Sequence, residues 1–193
     1  MSYIAWHFSN GYISHGDGRE IKRGETYSIK WPYKMFIAPT LCEAGFHGSL
    51  RAIDALKYAH GSIVSLCEIY GRVAIGGDKI VGDSRRVLFI ADASDLLFEF
   101  ACWVAEEALK ARMAEGYKFE PATFAAIQAR RDFQAGRVSK QDLSAAAWLA
   151  AESAAAWSAA ARSAAWSAAW AAARVMQNEE LEKRLRFLLG VKS

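Results

Sequence analysis

The sequence predicts an α+β protein: a small strand-rich domain at residues 1–92 followed by a helical array, an Ala/Trp-rich bundle, at residues 93–193. Three observations carry this. The first half is built of β-branched and aromatic runs separated by Asn10-Gly11, Asp17-Gly18, Arg23-Gly24 and Gly76-Gly77, the punctuation of strands and tight turns. From Ser94 onward apolar residues recur at helical spacing, and Gly116, Pro121 and Gly136 stand at segment ends. Finally, more than half of residues 143–173 are alanine.

Residues 3–8, Tyr-Ile-Ala-Trp-His-Phe, are expected to form the first strand, with Asn10-Gly11 turning it back into Tyr12-Ile13 as a hairpin. Residues 25–30 and 34–38 read as short strands divided by Trp31-Pro32, and residues 42–48 read as a loop with Gly45 and Gly48 in it. Ser49 is an expected N-cap for a short helix whose stripe is Leu50, Ile53, Ala55, Leu56 and Ala59, ending at Gly61. Residues 63–70 read as a buried strand, Gly76-Gly77-Asp78 as a turn and residues 86–91 as the last strand. Ser94 caps a helix stopped by Gly116, Pro121 opens a second that ends before Gly136, and Ser139 or Asp142 opens a third segment. No Gly or Pro occurs from Arg137 to Leu189, and Gln177-Asn178 is the expected break in that stretch.

Composition narrows the function. At 193 residues, 53% hydrophobic and 23% charged, the chain has the make-up of a folded protein rather than a disordered one. A net charge of +3 is too small for a dedicated nucleic-acid face and of the wrong sign for an acidic DNA mimic, so nucleic acid is not expected as a sole partner. Three widely spaced cysteines, Cys42, Cys67 and Cys102, suit a reducing cytoplasm better than a disulfide scaffold. No zinc signature occurs, and no two histidines stand at metal-pair spacing, so no metal site is expected. Residues 1–10 do not read as a signal peptide. Residues 143–173 carry Glu152, Arg162 and several serines among the alanines, which points to a soluble helix rather than a membrane span.

Within that stretch Trp148, Trp157, Trp166 and Trp170 are spaced by nine, nine and four residues. At about 100° per residue, Trp148, Trp166 and Trp170 share a side and Trp157 points the opposite way. Such a helix must be covered on two sides, by neighbours in a bundle or by a partner protein bound through these tryptophans.

Other side chains are candidates for chemistry. His7 and His47 each adjoin a strand and a turn. Glu43 and Glu68 are candidate acids; Glu68 lies in an apolar strand, where a carboxylate needs a partner such as an arginine at the sheet rim. Arg85 and Arg86, with Arg51, Lys57, Arg72 and Lys79, could line a basic patch for an anionic ligand.

The residues Cys42-Glu43-Ala44-Gly45-Phe46-His47, then Ala52 to Tyr58, then Leu66-Cys67-Glu68-Ile69-Tyr70-Gly71 and Gly77-Asp78-Lys79 resemble an uncharacterised domain family common in bacteriophage proteins. The likeness spans residues 2–97. The alanine-rich C-terminal part, residues 105–112 and 125–137 with the Ala/Trp run, resembles helical proteins of immunity-protein type. Together these resemblances imply a phage-encoded protein of the host cytoplasm.

A more distant likeness is to the ADP-ribosyltransferases. It lies in Gly45-Phe46-His47, the following helix with Ala55 and Tyr58, and the strand with Leu66 and Glu68. It implies that His7 could be the first-strand histidine that grips the nicotinamide ribose, and that His47 falls near the stacking tyrosine. Arg85 then stands where the catalytic glutamate would be. A cation there would repel an oxocarbenium-like transition state, so this copy reads as catalytically degenerate.

The functional expectation is a non-enzymatic binding protein that neutralises a host factor by direct contact. That would make it an anti-defence inhibitor, an anti-CRISPR or an antagonist of nucleotide-signalling immunity, with no cofactor and with Trp148, Trp157, Trp166 and Trp170 on the partner face. The ligand site would comprise His7, His47, Arg85 and Arg86. The first alternative is an ADP-ribosyltransferase-like enzyme or a protein binding NAD or another nucleotide, with His7, His47, Tyr58 and Glu68 converging on one cleft. The second is a structural module that forms homo-oligomers through its Ala/Trp helices.

Overall fold

The computed structural model describes residues 1–13, 18–30, 38–118, 121–146 and 164–191, giving backbone alone for 164–172. The fold is α+β. An antiparallel sheet of five strands lies in the N-terminal half, and the described elements of the C-terminal half are helices.

The strands are β1 (Ser2–Ser9), β2 (Thr26–Ser28), β3 (Phe46–Gly48), β4 (Ile63–Ile75) and β5 (Ile80–Asp92). Their order is β1-β4-β5-β2, with β3 pairing β5 beyond the end of β2. The long β4–β5 hairpin turns at Gly76-Gly77-Asp78, where the Gly76 N–H donates to the Lys79 carbonyl at 2.8 Å. A bulge follows Tyr70, and there the Asp83 carboxylate accepts the Arg72 backbone N–H at 3.0 Å and pairs with its guanidinium at 2.9 Å. Asp83 is 1% exposed, so this pairing satisfies a buried charge at the kink.

Register decides which side chains meet. Ala5, Cys67 and Val87 oppose one another across three strands, as do Tyr27, Arg85 and Ile69, and His7 faces Ser65. Residues directly opposite in an antiparallel ladder share a face. One face therefore carries His7, Ser65 and Arg85 among the buried side chains of Tyr27, Cys67 and Val87, against which Ile13, Phe46 and Ile90 pack. Glu68 and Arg86 are partners on the opposite face, as are Trp6 and Leu66.

Helix α1 (Ala52–Leu56) follows β3. Its N-cap is Arg51, with no side-chain cap of its own. The expected cap, Ser49, instead pairs its backbone with Trp6 at the end of the sheet. The open N–H groups of α1 are taken by the last helix, α4 (Ala164–Leu189): Asn178 Oδ1 accepts from Ile53 and Glu182 Oε1 from Ala52, both at 3.1 Å. Arg174 pairs with the buried Asp54 at 2.9 Å. Leu181 and Leu185, on the same side of α4, are 0% exposed, and the Arg186 guanidinium lies over the Trp6 ring.

In chain order between β5 and α4 come α2 (Ser94–Ala114) and α3 (Pro121–Gln134), and residues 140–146 are also helical. Arg131 of α3 holds Glu106 and Glu99 of α2, and Arg130 lies over the Phe98 ring. Ser139 and Asp142 act together as a capping box, each accepting the other's backbone N–H.

The chain divides into two compact units, Met1–Leu96 with Arg174–Ser193, and Leu97–Ala173. The division expected at residue 92 thus omits a tertiary partner of the sheet, the end of α4. Other expectations also change. Asn10-Gly11 does not return the chain to β1. Tyr12 bridges Glu20 instead, and β1 takes β4 as its neighbour. Part of residues 42–48 is strand β3 rather than loop. Gln177-Asn178 is no break, because Asn178 remains helical while it caps α1. The strand expected at residues 34–38 lies outside the described residues except for Ala38. Trp148 and Trp157 lie outside them too, as do the side chains of Trp166 and Trp170, so the tryptophan face is not described. Among the described residues no helix is long and apolar enough to cross a membrane.

Candidate functional site

A cleft of about 870 Å³ opens in the strand-rich unit between β1, the 42–49 segment, α1 and β5. That volume suits a drug-sized ligand. Ile13, Phe46 and Tyr58 are among the apolar lining, and His7, His47, Lys79 and Arg85 are among the polar and charged groups, which also include Arg19, Lys30, Glu43 and His60.

The 42–49 segment is shaped by its glycines. Gly45 adopts φ +112°, and a Cβ there would lie 2.6 Å from Val81 Cγ2 and 3.0 Å from the Gly82 carbonyl. Only glycine lets this turn lie so close against β5. The turn is closed by Thr40, whose carbonyl accepts the N–H groups of Glu43 and Ala44, and the Cys42 N–H donates to His47 Nε2 at 3.0 Å. His47 Nε2 is therefore an acceptor, and burial, with Lys79 and Arg85 nearby, lowers the affinity of that ring for a second proton.

Arg85 is the unusual group. It is 3% exposed, and one Nη donates to the His47 carbonyl at 3.1 Å. The guanidinium lies over the Phe46 ring, 5.7 Å from its centre. Among the described residues no carboxylate pairs with it. Among the described residues its Nε has no partner, and the other buried side-chain polar atoms left in that state are His7 Nδ1 and Ser65 Oγ. All three belong to the same sheet face. Buried polar groups are almost always hydrogen-bonded, so three orphans on one face mark a place where a partner belongs. Burial lowers the Arg85 pKa from its ordinary value, and burial followed by the Arg85 charge takes His7 well below the usual histidine range. At neutral pH the inner end of the cleft thus holds one buried cation beside a neutral imidazole.

The structure brings together His7, His47, Tyr58 and Arg85, but not Glu68 or Arg86. Those two form an ion pair at 2.8 Å on the opposite sheet face, the rim pairing that a strand carboxylate needs. Tyr58 stands at the mouth, 42% exposed, and its hydroxyl donates to Asp78 at 2.7 Å. The wider basic patch disperses. Arg51 and Lys57 turn to Asp54, Arg72 to Asp83 and Arg86 to Glu68, leaving Lys79 and Arg85 at the cleft.

Cys42, Phe46 and His60 also line the cleft and were not singled out as site residues from sequence. Glu43 is the one carboxylate among the described lining residues, and it is exposed. Among the described residues no three His, Cys, Asp or Glu side chains gather closely enough to hold a metal ion. No family model matches the chain, no curated protein matches its sequence, and no solved structure matches it.

Proposed function

We propose that the strand-rich unit is a binding module for a small phosphate-bearing ligand of the nucleotide class. The observation that carries this reading is Arg85, a buried guanidinium without a carboxylate, its Nε unpartnered, at the wall of a ligand-sized cleft. A phosphate or carboxylate oxygen would complete Arg85 with charge-assisted hydrogen bonds, and neutral His7 would add another in the tautomer that carries its proton on Nδ1. Phe46 and Tyr58 offer apolar contact for a ring attached to the phosphate.

The reading is one of binding rather than turnover. A carboxylate that could polarise a ribose hydroxyl is missing from the position of Arg85, and Glu68 is on the other face in its pair with Arg86. Likeness to an ADP-ribosyltransferase cleft survives in His7, His47 and Tyr58 alone, as part of this proposal. The anti-defence role is kept in its nucleotide-signalling form, in which a phage-encoded protein withdraws a phosphate-bearing signal from its host. Direct capture of a host protein, or oligomerisation, through Trp148, Trp157, Trp166 and Trp170 draws nothing from the described side chains.

A thermal-shift series at low salt tests the reading with adenosine, AMP, ADP, NAD and inorganic phosphate. A ligand at a hundred times its Kd stabilises the folded chain by about 2.7 kcal/mol. Phosphate-bearing compounds are expected to raise Tm, and adenosine is not. No shift with any of them would overturn the proposal.

A further inference from the structure

Cys42 sits at the mouth of the same cleft in a conformation that the sequence does not make easy. Its φ is +68°, the one left-handed non-glycine residue among those described. Side chains with a Cβ rarely occupy that region, and such strain persists where the surroundings over-determine it. Here the determinants are on the page. Its N–H is held by His47 Nε2, and its Sγ, exposed to solvent, accepts a hydrogen bond from Lys79 Nζ at 3.0 Å. The Lys79 ammonium also lies 3.9 Å from the Tyr58 ring centre, and these contacts favour its charged form.

The other two cysteines differ. Cys67 is 1% exposed, and burial pushes its thiol up to about 11; Cys102 is 6% exposed and is shifted in the same direction. Independently of Cys42, the cleft wall carries the buried Arg85, whose Nε has no partner among the described residues, and the likewise unpartnered Nδ1 of His7, which call for an anionic group inside.

We propose that Cys42 is a covalent attachment site for small electrophiles that carry a carboxylate or phosphate, drawn in by Lys79 and the cleft. In the simplest case, with iodoacetate, the thiol proton is lost to buffer. A sulfur lone pair then forms the S–C bond as the C–I bond breaks, and iodide leaves. No oxidant or reductant is needed. The proposal shares its cleft with the anion-binding reading, but it stands or falls on Lys79, whereas that reading stands or falls on Arg85.

The test is alkylation of the full chain at neutral pH with iodoacetate or the neutral iodoacetamide, each cysteine being followed by peptide mass spectrometry. Cys42 is expected to react first, with Cys67 and Cys102 spared until the chain unfolds. One ammonium about 6 Å away, at an intermediate effective dielectric, favours an anionic reagent by about tenfold. The iodoacetate-to-iodoacetamide rate ratio at Cys42 should therefore exceed that of the urea-unfolded chain by about this factor, and fall with added salt. Lys79→Met should abolish the preference and Lys79→Arg should keep it. A ratio equal to that of the unfolded wild-type chain would overturn the proposal without any variant having to fold, as would an unchanged ratio in a folded Lys79→Met protein.

Discussion

At the scale of single residues, Arg85 and His7 set stability and binding against each other. A buried guanidinium with an orphaned Nε is a cost to the empty protein, of about 1–3 kcal/mol for the unmade hydrogen bond. Arg85→Met keeps the length of the side chain and removes the charge, so it is expected to leave chemical-denaturation stability unchanged or raise it by about 1 kcal/mol. A loss of more than about 2 kcal/mol would instead make Arg85 a structural strut. His7 gives a pH signature. Its folded pKa lies well below the ordinary 6.5, so between the two values the unfolded chain binds the proton and the folded chain does not. The stability contributed by neutral His7 is complete above pH 6.5 and is lost progressively as pH falls below it, with His47 acting in the same sense. Urea unfolding at pH 7.5 and 5.5 should show the decline, and His7→Gln should flatten it. An equal decline in the variant would assign it elsewhere.

At the scale of elements, α1 depends on α4 for its start. The short helix has no side-chain cap of its own, and its first N–H groups are accepted by Asn178 and Glu182, more than a hundred residues later in the chain. Loss of a helix cap costs about 1 kcal/mol, so Asn178→Ala should lower stability by roughly that amount. Ser49→Ala should cost no cap, since Ser49 caps nothing; equal losses from the two would contradict this account. Strands were legible where their residues alternate or run apolar between turn signals, as in β1 and the expected 63–70 and 86–91, but β4 runs on to Ile75 and β5 begins at Ile80, where Gly71 and Gly82 look like turn residues. The same period of two, applied to Arg85-Arg86, already separates the pair onto opposite faces; grouping both in one ligand site ignored the pleat. The cap from Asn178 was not legible, because a long-range contact leaves no local pattern. Nor was β3: three residues preceded by Gly45 and ending in Gly48 look like a loop until β5 supplies the pairing.

At the scale of the molecule, the fold class was readable and the boundary was not. A change from strand grammar to helix grammar near residue 93 marks a change of secondary structure, whereas compactness follows contacts, which assign Arg174–Ser193 to the sheet. Residues 1–92 expressed alone would lack Leu181, Leu185 and the partners of Asp54 and α1. That fragment is expected to give no cooperative thermal transition, and a sharp transition would show the sheet to be self-sufficient. Of the expected convergence of His7, His47, Tyr58 and Glu68, the first three line one cleft and Glu68 lies on the other sheet face, and the unpartnered Nε of the buried Arg85 is what the fold adds. That addition is the core of the functional account. Its most direct test is calorimetric titration of ADP into the wild-type protein and into Arg85→Met at low salt. Saturable binding by the wild type, weakened at least about tenfold in the variant by loss of a charge-assisted contact, is the expected result. Equal affinity in the two proteins, or no heat from either, would contradict it.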